Sequence, residues 1–255
     1  MTPATRYFGL SMAFVLLLIA GFFSVWWLAI GTPVAGARRI PTGALRIGVF
    51  GDSLAFGWGT AHPARDGVVP RLASRFAAVR PGSTLVNASF PGSTIGDIAQ
   101  RQFPHLTGPV QLVLVISGGN DVQRISAPWR IASNEASLID GLRARYPNAS
   151  LWVTDLPDVS LRPSVPPWSR ALYSALISLD NAAFVRAASA HGAHVLPLSA
   201  ISREPEANRA PYVSSDGLHP TAAGYAKLTD ALWPWFVAGL QPDRSFEEQR
   251  GQAPL

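Results

Sequence analysis

Short apolar runs alternate with stretches of helical periodicity along most of the chain, and this alternation constrains the fold more than any other feature. The clearest run is residues 112–116 (LVLVI), whose consecutive branched side chains indicate a strand covered on both faces. The other predicted strands cover residues 45–50, 84–88, 151–154 and 194–198. Helical patterns between and after the strands cover residues 65–79, 93–102, 131–146, 169–191 and 221–236. This order predicts right-handed βαβ units and a parallel sheet of about five strands between two helical layers.

The composition fits one α/β domain, which we place at residues 44–240. The 255 residues are 48% hydrophobic and 15% charged, which excludes a disordered chain. The absence of cysteine excludes a disulfide scaffold, a thiolate metal site and a cysteine nucleophile. Basic residues are scattered and only Arg38 and Arg39 are adjacent, so the net charge of +5 does not indicate nucleic-acid binding.

Residues 7–30 contain no charged side chain and exceed the ~20 helical residues that cross a bilayer. The aromatic pairs 7–8 and 26–27 would lie about 30 Å apart in a helix, at the two membrane interfaces. We therefore predict a transmembrane anchor, or an uncleaved signal, at residues 7–30. A signal peptide cleaved near residues 35–37 (AGA) is the alternative, although its apolar part would be unusually long, and a buried soluble helix is a third interpretation.

The remaining terminal segments predict a membrane-tethered arrangement. Residues 1–6 form a short flank, residues 31–43 are a Pro- and Gly-containing linker, and residues 241–255 are a polar disordered tail. The arginines that follow the anchor would place the domain in the cytoplasm, whereas the AGA sequence and the absence of cysteine favour export. We expect an exported, periplasmic domain, and a periplasm-dependent reporter fused to the C-terminus tests this orientation.

Four polar motifs follow predicted strands or precede the last predicted helix. They are residues 51–54 (GDSL), 90–93 (FPGS), 118–121 (GGND) and 216–220 (DGLHP). Because parallel sheets bind ligands at the carboxyl ends of their strands, we expect all four motifs near one edge. They supply a hydroxyl, glycine amides, a carboxamide, and an imidazole with a nearby carboxylate. A serine acyl hydrolase needs this set of groups.

In this order the four motifs resemble the blocks of the SGNH hydrolases, also called the GDSL esterase/lipase family, over about residues 45–238. The resemblance implies a flavodoxin-like three-layer αβα fold. It also implies ester hydrolysis through an acyl-enzyme, without metal or cofactor. By position, Ser53 would be the nucleophile, His219 the base and Asp216 the residue that orients the base.

The resemblance also implies an oxyanion hole made of the Ser53 and Gly92 amides and the Asn120 side chain. One departure is Ser89, three residues ahead of Gly92, where the family often has glycine. Asp121 is expected to cap or brace its own loop.

The residues themselves support the same roles. A serine on a tight turn after a strand exposes its oxygen, and the helix that follows directs its amides towards anionic charge. Asp216 lies three residues before His219, so its carboxylate can reach Nδ1 and leave Nε2 facing Ser53. Pro220 suits the first position of the last helix, and Asp52 is expected to be a turn or cap acid.

The expected substrate is a small-molecule, lipid or polysaccharide ester. Residues 157–168 and 203–215 either shape the acyl or alcohol pocket or are ordinary surface connections. We expect a preference for short acyl groups, because no long apolar segment outside residues 7–30 is available to cover a long chain.

Two other functions remain open at this point. One is an O-acetyl esterase or acyltransferase that acts on cell-envelope polysaccharide, and the other is a non-catalytic binding module on the same scaffold. Nucleotide binding has no support, since GxGxxG does not follow the first strand and GxxxxGK[ST] is absent. The sequence does not determine the oligomeric state.

Overall fold

The computed structural model describes residues 38–240 and contains one sheet of five parallel strands. The strands lie in the order β2-β1-β3-β4-β5, which is the flavodoxin-like order. Their bounds are β1 Arg46–Gly51, β2 Thr84–Asn87, β3 Leu112–Ile116, β4 Ser150–Thr154 and β5 His194–Leu196. The predicted parallel sheet is therefore confirmed.

Helices connect the strands and cover both faces of the sheet. Their bounds are α1 Ser53–Phe56, α2 Pro63–Asp66, α3 Val68–Val79, α4 Ile98–Gln102, α5 Gly119–Gln123, α6 Pro128–Arg145, α7 Arg170–Ala190, α8 Leu198–Arg203 and α9 Ala222–Leu240. Short 3₁₀ turns cover Ile95–Asp97, Phe103–His105, Pro167–Ser169 and Pro205–Asn208.

The central strand β3 shows why the molecule has three layers. All five of its side chains are buried, and successive ones point to opposite faces. Val113 and Val115 pack into a core with residues of α4, α6 and α7. Leu112, Leu114 and Ile116 pack into a second core with residues of α3 and α9. Each core buries one face of the sheet, which explains the continuous apolar run in the sequence.

Most predicted elements are shifted at their ends by a few residues, and three differ from the structure for an identifiable reason. The helix expected at residues 65–79 is divided into α2 and α3 by Gly67, where a Cβ would lie 2.8 Å from the Pro63 oxygen and 3.0 Å from the Gly57 Cα. The strand expected at residues 194–198 ends at Leu196, because Pro197 has no N–H for the ladder and α8 begins directly after it. The short helix expected at residues 93–102 begins as a 3₁₀ turn and becomes α-helical at Ile98.

The segment before β1 contacts the domain. Ile40 is buried in the second core, and the Arg38 carbonyl accepts a hydrogen bond from the Ser150 hydroxyl. Between residues 38 and 240, no helix has the length and apolar character required to span a bilayer. The predicted anchor (7–30), N-terminal flank (1–6) and tail (241–255) lie outside the described residues.

Candidate active site

Ser53 is held at the carboxyl edge of the sheet by the turn between β1 and α1. A Cβ on Gly51 would overlap the Ile116 carbonyl oxygen at the end of β3, so only glycine allows the two strand ends to approach this closely. Asp52 caps α1, since its carboxylate accepts the Leu54 N–H at 2.9 Å. The expected cap role of Asp52 is therefore confirmed. The cap leaves Ser53 as the first residue of the helix.

His219 lies in a loop that is closed by a short antiparallel bridge between Val213 and Pro220. The Ser214 N–H donates to the His219 carbonyl at 2.8 Å within this bridge. The prediction that Pro220 occupies the first helical position is wrong. Thr221 caps α9 instead, because its hydroxyl accepts the N–H of Gly224 at 3.2 Å. The bridge holds His219 outside the helix, facing β1.

The structure brings three polar side chains into one hydrogen-bonded chain. The Nε2 atom of His219 lies 2.8 Å from the Ser53 Oγ, and its Nδ1 lies 2.7 Å from Oδ2 of Asp216. In the tautomer that this geometry favours, Nδ1–H donates to Asp216 and Nε2 accepts the hydroxyl proton of Ser53. The histidine can therefore receive a proton from the serine.

Asp216 is held as a carboxylate by its surroundings. Its Oδ1 accepts from the Ser214 hydroxyl at 2.7 Å, the Leu218 amide at 2.8 Å and the His219 amide at 2.9 Å. Burial opposes ionisation, but the hydrogen bonds outweigh burial and hold the pKa of Asp216 well below its usual range. The charge that orients the imidazole therefore persists across the neutral range.

Gly92 lies in a turn and Asn120 at the start of α5, and the two segments are joined through Ser93. The segment from Phe90 to Ser93 forms a turn closed by a 3.2 Å bond from the Ser93 amide to the Phe90 carbonyl, with Gly92 at a φ of +80°. Asn120 donates one carboxamide N–H to the Ser93 carbonyl at 2.9 Å. A carboxamide has two N–H donors, so this bond orients the side chain and leaves a second donor. Within residues 38–240, the amides of Ser53 and Gly92 have no acceptor.

Gln102 is a buried residue of the site region that the sequence did not single out. Its side chain exchanges two hydrogen bonds with the backbone of Gly51, at 2.9 and 2.7 Å, and reaches the Ser93 hydroxyl at 3.2 Å. It therefore fixes the end of β1 relative to the turn that carries Gly92. A lone glutamine in a short helix has no periodic signal by which sequence reasoning could find it.

Asp52 and Asp121, which are next to Ser53 and Asn120 in the sequence, are both buried. Burial raises the pKa of Asp52 to about 7, a rise that the bonds from the Leu54 and Gly119 amides limit. Burial also raises the pKa of Asp121 to about 6. Asp121 accepts the Ile95 N–H at 3.0 Å, so it braces the segment after Gly92 against α5, whereas the sequence predicted a cap or brace within its own loop.

Glu135 on α6 is fully buried, at 0% exposure, and both of its carboxyl oxygens are without a hydrogen-bond partner within the described part of the chain. Burial raises its pKa to about 8, and the charge of Asp121 adds to this rise. The neutral acid is therefore the stable form of Glu135 at neutral pH.

Replacing Glu135 with glutamine is expected to raise the Tm at pH 8 by at least about 2–4 °C, with a smaller effect at pH 5. Between the ordinary carboxyl pKa of 4.5 and about 8, the folded protein keeps a proton that the unfolded chain has released. The stability of the unsubstituted protein therefore falls as pH rises through this window, and glutamine removes that fall. Calorimetry from pH 5 to 9 measures the effect, and an equal shift at all pH values would contradict it.

A cleft opens beside His219 and Asp52. Both segments that the sequence proposed as pocket walls contribute to it, through Pro157 and Val159 on one side and Ala207 and Tyr212 on the other. Of the three residues joined in the hydrogen-bonded chain, His219 therefore lies on the wall of this cleft.

A hydroxyl, an imidazole and a carboxylate joined in this way at the edge of a parallel sheet are the arrangement of serine hydrolases. The sequence profile of the GDSL-like Lipase/Acylhydrolase family matches residues 49–227. The chain therefore belongs to this family, and it is a hydrolase acting on esters. A search of the curated proteins found no match.

Several solved structures share this fold. TesA is 25% identical with a TM-score of 0.61, and the match covers 77% of this chain and 98% of TesA. The lipase/acylhydrolase from Enterococcus faecalis is 21% identical with a TM-score of 0.59, covering 78% and 99% of the two chains. The psychrotrophic esterase EstA from Pseudoalteromonas sp., in a structure inhibited by monoethylphosphonate, is 22% identical with a TM-score of 0.56, covering 75% and 98%.

Proposed function

We propose that the protein is a serine carboxylesterase in which Ser53 is the nucleophile, His219 the general base and Asp216 the residue that orients the base. The observation that carries this proposal is the hydrogen-bonded chain from the Ser53 hydroxyl through His219 to Asp216.

The reaction proceeds in two halves. In the first, the Ser53 oxygen attacks the ester carbonyl carbon while Nε2 of His219 takes the hydroxyl proton. The tetrahedral intermediate collapses when His219 returns that proton to the leaving alkoxide, which departs as an alcohol and leaves an acyl-serine. In the second half, His219 activates a water molecule that releases the carboxylic acid and restores Ser53.

The negative oxygen of each intermediate needs donors that are already in place. The amides of Ser53 and Gly92 and the second N–H of Asn120 are the proposed donors. They suit this role because the turn, the Ser93 bond and the start of α1 hold them rigidly. These donors stabilise the transition state more than the bound ester, because the negative charge on the oxygen develops only as the transition state forms.

Replacing Asn120 with alanine is expected to lower kcat by roughly 10²- to 10³-fold, with little change in KM. The carboxamide would stabilise the developing oxyanion more than the ground-state carbonyl, so its loss acts on the chemical step. Steady-state hydrolysis of a 4-nitrophenyl ester measures both constants. Since Asn120 also bonds to Ser93, a Tm measured in parallel shows whether the loop has been disturbed.

An acyl series tests the function itself. Hydrolysis of 4-nitrophenyl esters from acetate to palmitate should show an initial burst equal to the enzyme concentration and fastest turnover on the short chains. Absence of hydrolysis across the series would overturn the esterase assignment. Addition of sugar acceptors tests the alternative reaction, because a sugar ester among the products would identify an acyltransferase.

A further inference from the structure

Arg162 is a buried cation on the wall of the cavity beside His219. Its residue exposure is only 7%, and it lies in the loop that follows β4. Nη1 donates to the Ala207 carbonyl at 2.8 Å, whereas Nε is buried and has no partner within the described range 38–240. A guanidinium has five N–H donors, so most of its hydrogen-bonding capacity is unused by this bond.

Five carboxyl groups near this wall already have hydrogen-bond or ion-pair partners. Asp52, which also lines the cavity, accepts the Leu54 N–H at 2.9 Å. Asp158 lies 2.7 Å from the guanidinium of Arg203. The ammonium group of Lys227 forms ion pairs with two glutamates, Glu206 at 3.2 Å and Glu204 at 3.3 Å. The carboxylate of Asp216 is bonded to the ring and amide of His219.

Arg162 therefore has no carboxylate partner among residues 38–240. Burial lowers its pKa, yet a guanidinium remains charged throughout the pH range in which proteins are stable. An unpaired buried charge is unfavourable unless something else compensates it. The cavity is the side from which an external anion can approach.

We propose that this cavity binds an ester that carries a second, anionic group, and that Arg162 pairs with that group. This substrate class rests on the proposed esterase function of Ser53. Carboxylate and phosphate oxygens both match the planar fork of a guanidinium. The apolar side chains of Leu198, Ile201 and Leu228 line the same space and suit an alkyl segment between the ester and the anion. In this arrangement Arg162 determines which esters are preferred and takes no part in the proton transfers.

Matched pairs of substrates test the proposal. The 4-nitrophenyl monoesters of glutaric, adipic and suberic acids are compared with 4-nitrophenyl pentanoate, hexanoate and octanoate, whose acyl chains have the same number of carbons but end in a methyl group. For at least one pair, kcat/KM should favour the charged ester by roughly 10- to 100-fold, mainly through KM. Arg162→Met should remove this preference and leave hydrolysis of the neutral esters within about threefold. Arg130→Met, at an exposed position of α6, is the control and should keep the preference.

Equal losses on charged and neutral esters would overturn the proposal, because they would assign Arg162 a structural role or an electrostatic effect on Asp216. If the unsubstituted enzyme shows the same kcat/KM for the charged and the neutral ester of every pair, the proposal is also overturned, and no variant is needed for that result.

Binding to the Ser53→Ala protein separates this proposal from the esterase function. Calorimetric titration with octanoate and with octyl phosphate, against octanol, should show Arg162-dependent binding of one or both anions even if no ester is hydrolysed. The two anions distinguish a carboxylate site from a phosphate site. Failure of both anions to bind would reject the site, whatever the catalytic result.

Discussion

Replacing Ser53 with alanine is expected to lower kcat/KM for a short-chain 4-nitrophenyl ester by roughly 10⁵- to 10⁶-fold while leaving the Tm close to that of the unsubstituted protein. The reason is geometric. The Ser53 hydroxyl lies 2.8 Å from Nε2 of His219, and its loss removes the atom that would attack the ester carbonyl. The backbone of the turn is set by Gly51 and Asp52, so the methyl group of alanine fits without rearrangement.

Ser74→Ala is the matched control for this experiment. Ser74 is an exposed serine of α3, and its hydroxyl bonds only to the Pro70 carbonyl of its own helix. The control should retain full activity. Near-normal hydrolysis by the Ser53 variant would show that another group forms the acyl-enzyme.

Replacing Asp216 with asparagine is expected to lower kcat by roughly 10⁴-fold, the size of effect found when the aspartate of a Ser-His-Asp triad is neutralised. Asparagine keeps the volume of the side chain but presents an N–H₂ group or a neutral oxygen to Nδ1 of His219. The imidazole then loses the charged partner that favours Nδ1–H, and the tautomer with the proton on Nε2 cannot accept the proton of Ser53. Steady-state kinetics at neutral pH measure the loss.

The molecule provides a matched control for the aspartate as well. Asp140 lies 2.7 Å from Nδ1 of His191, the same distance that separates Asp216 from His219, but that pair joins α6 to the end of α7. Asp140→Asn should therefore leave the kinetics unchanged. A similar loss in both variants would indicate that removal of any such pair disturbs the protein, and the specific role of Asp216 would be rejected.

Sequence reasoning could predict the sheet because the relevant signals are local. The run at residues 112–116 is apolar on both faces, and the turn motifs follow strands directly, so the topology places Ser53 and Asn120 at one edge. The position of His219 depends on a motif just before the last helix. The predicted helical position of its neighbour Pro220 is wrong, because Pro220 pairs with Val213 in a bridge within the same loop, and the preference of proline for helix starts does not predict such a bridge.

The residues that escaped prediction share one property. Gln102, Glu135 and Arg162 are polar side chains buried by parts of the chain that lie far away in sequence. The Gln102 side chain donates a hydrogen bond to the Gly51 carbonyl, 51 residues earlier in the sequence. The Arg162 guanidinium donates to the Ala207 carbonyl, 45 residues later. Their roles depend on three-dimensional contacts alone, whereas the catalytic motifs carry a local pattern of turns and strand ends.

Covalent labelling with a fluorophosphonate, followed by peptide mapping by mass spectrometry, tests whether Ser53 is the nucleophile. We expect one phosphonate per chain, on Ser53, and no labelling of the Ser53→Ala protein. A phosphonate found on any other residue, or an unsubstituted protein that hydrolyses esters but never reacts with the reagent, would contradict the assignment of Ser53 as the nucleophile.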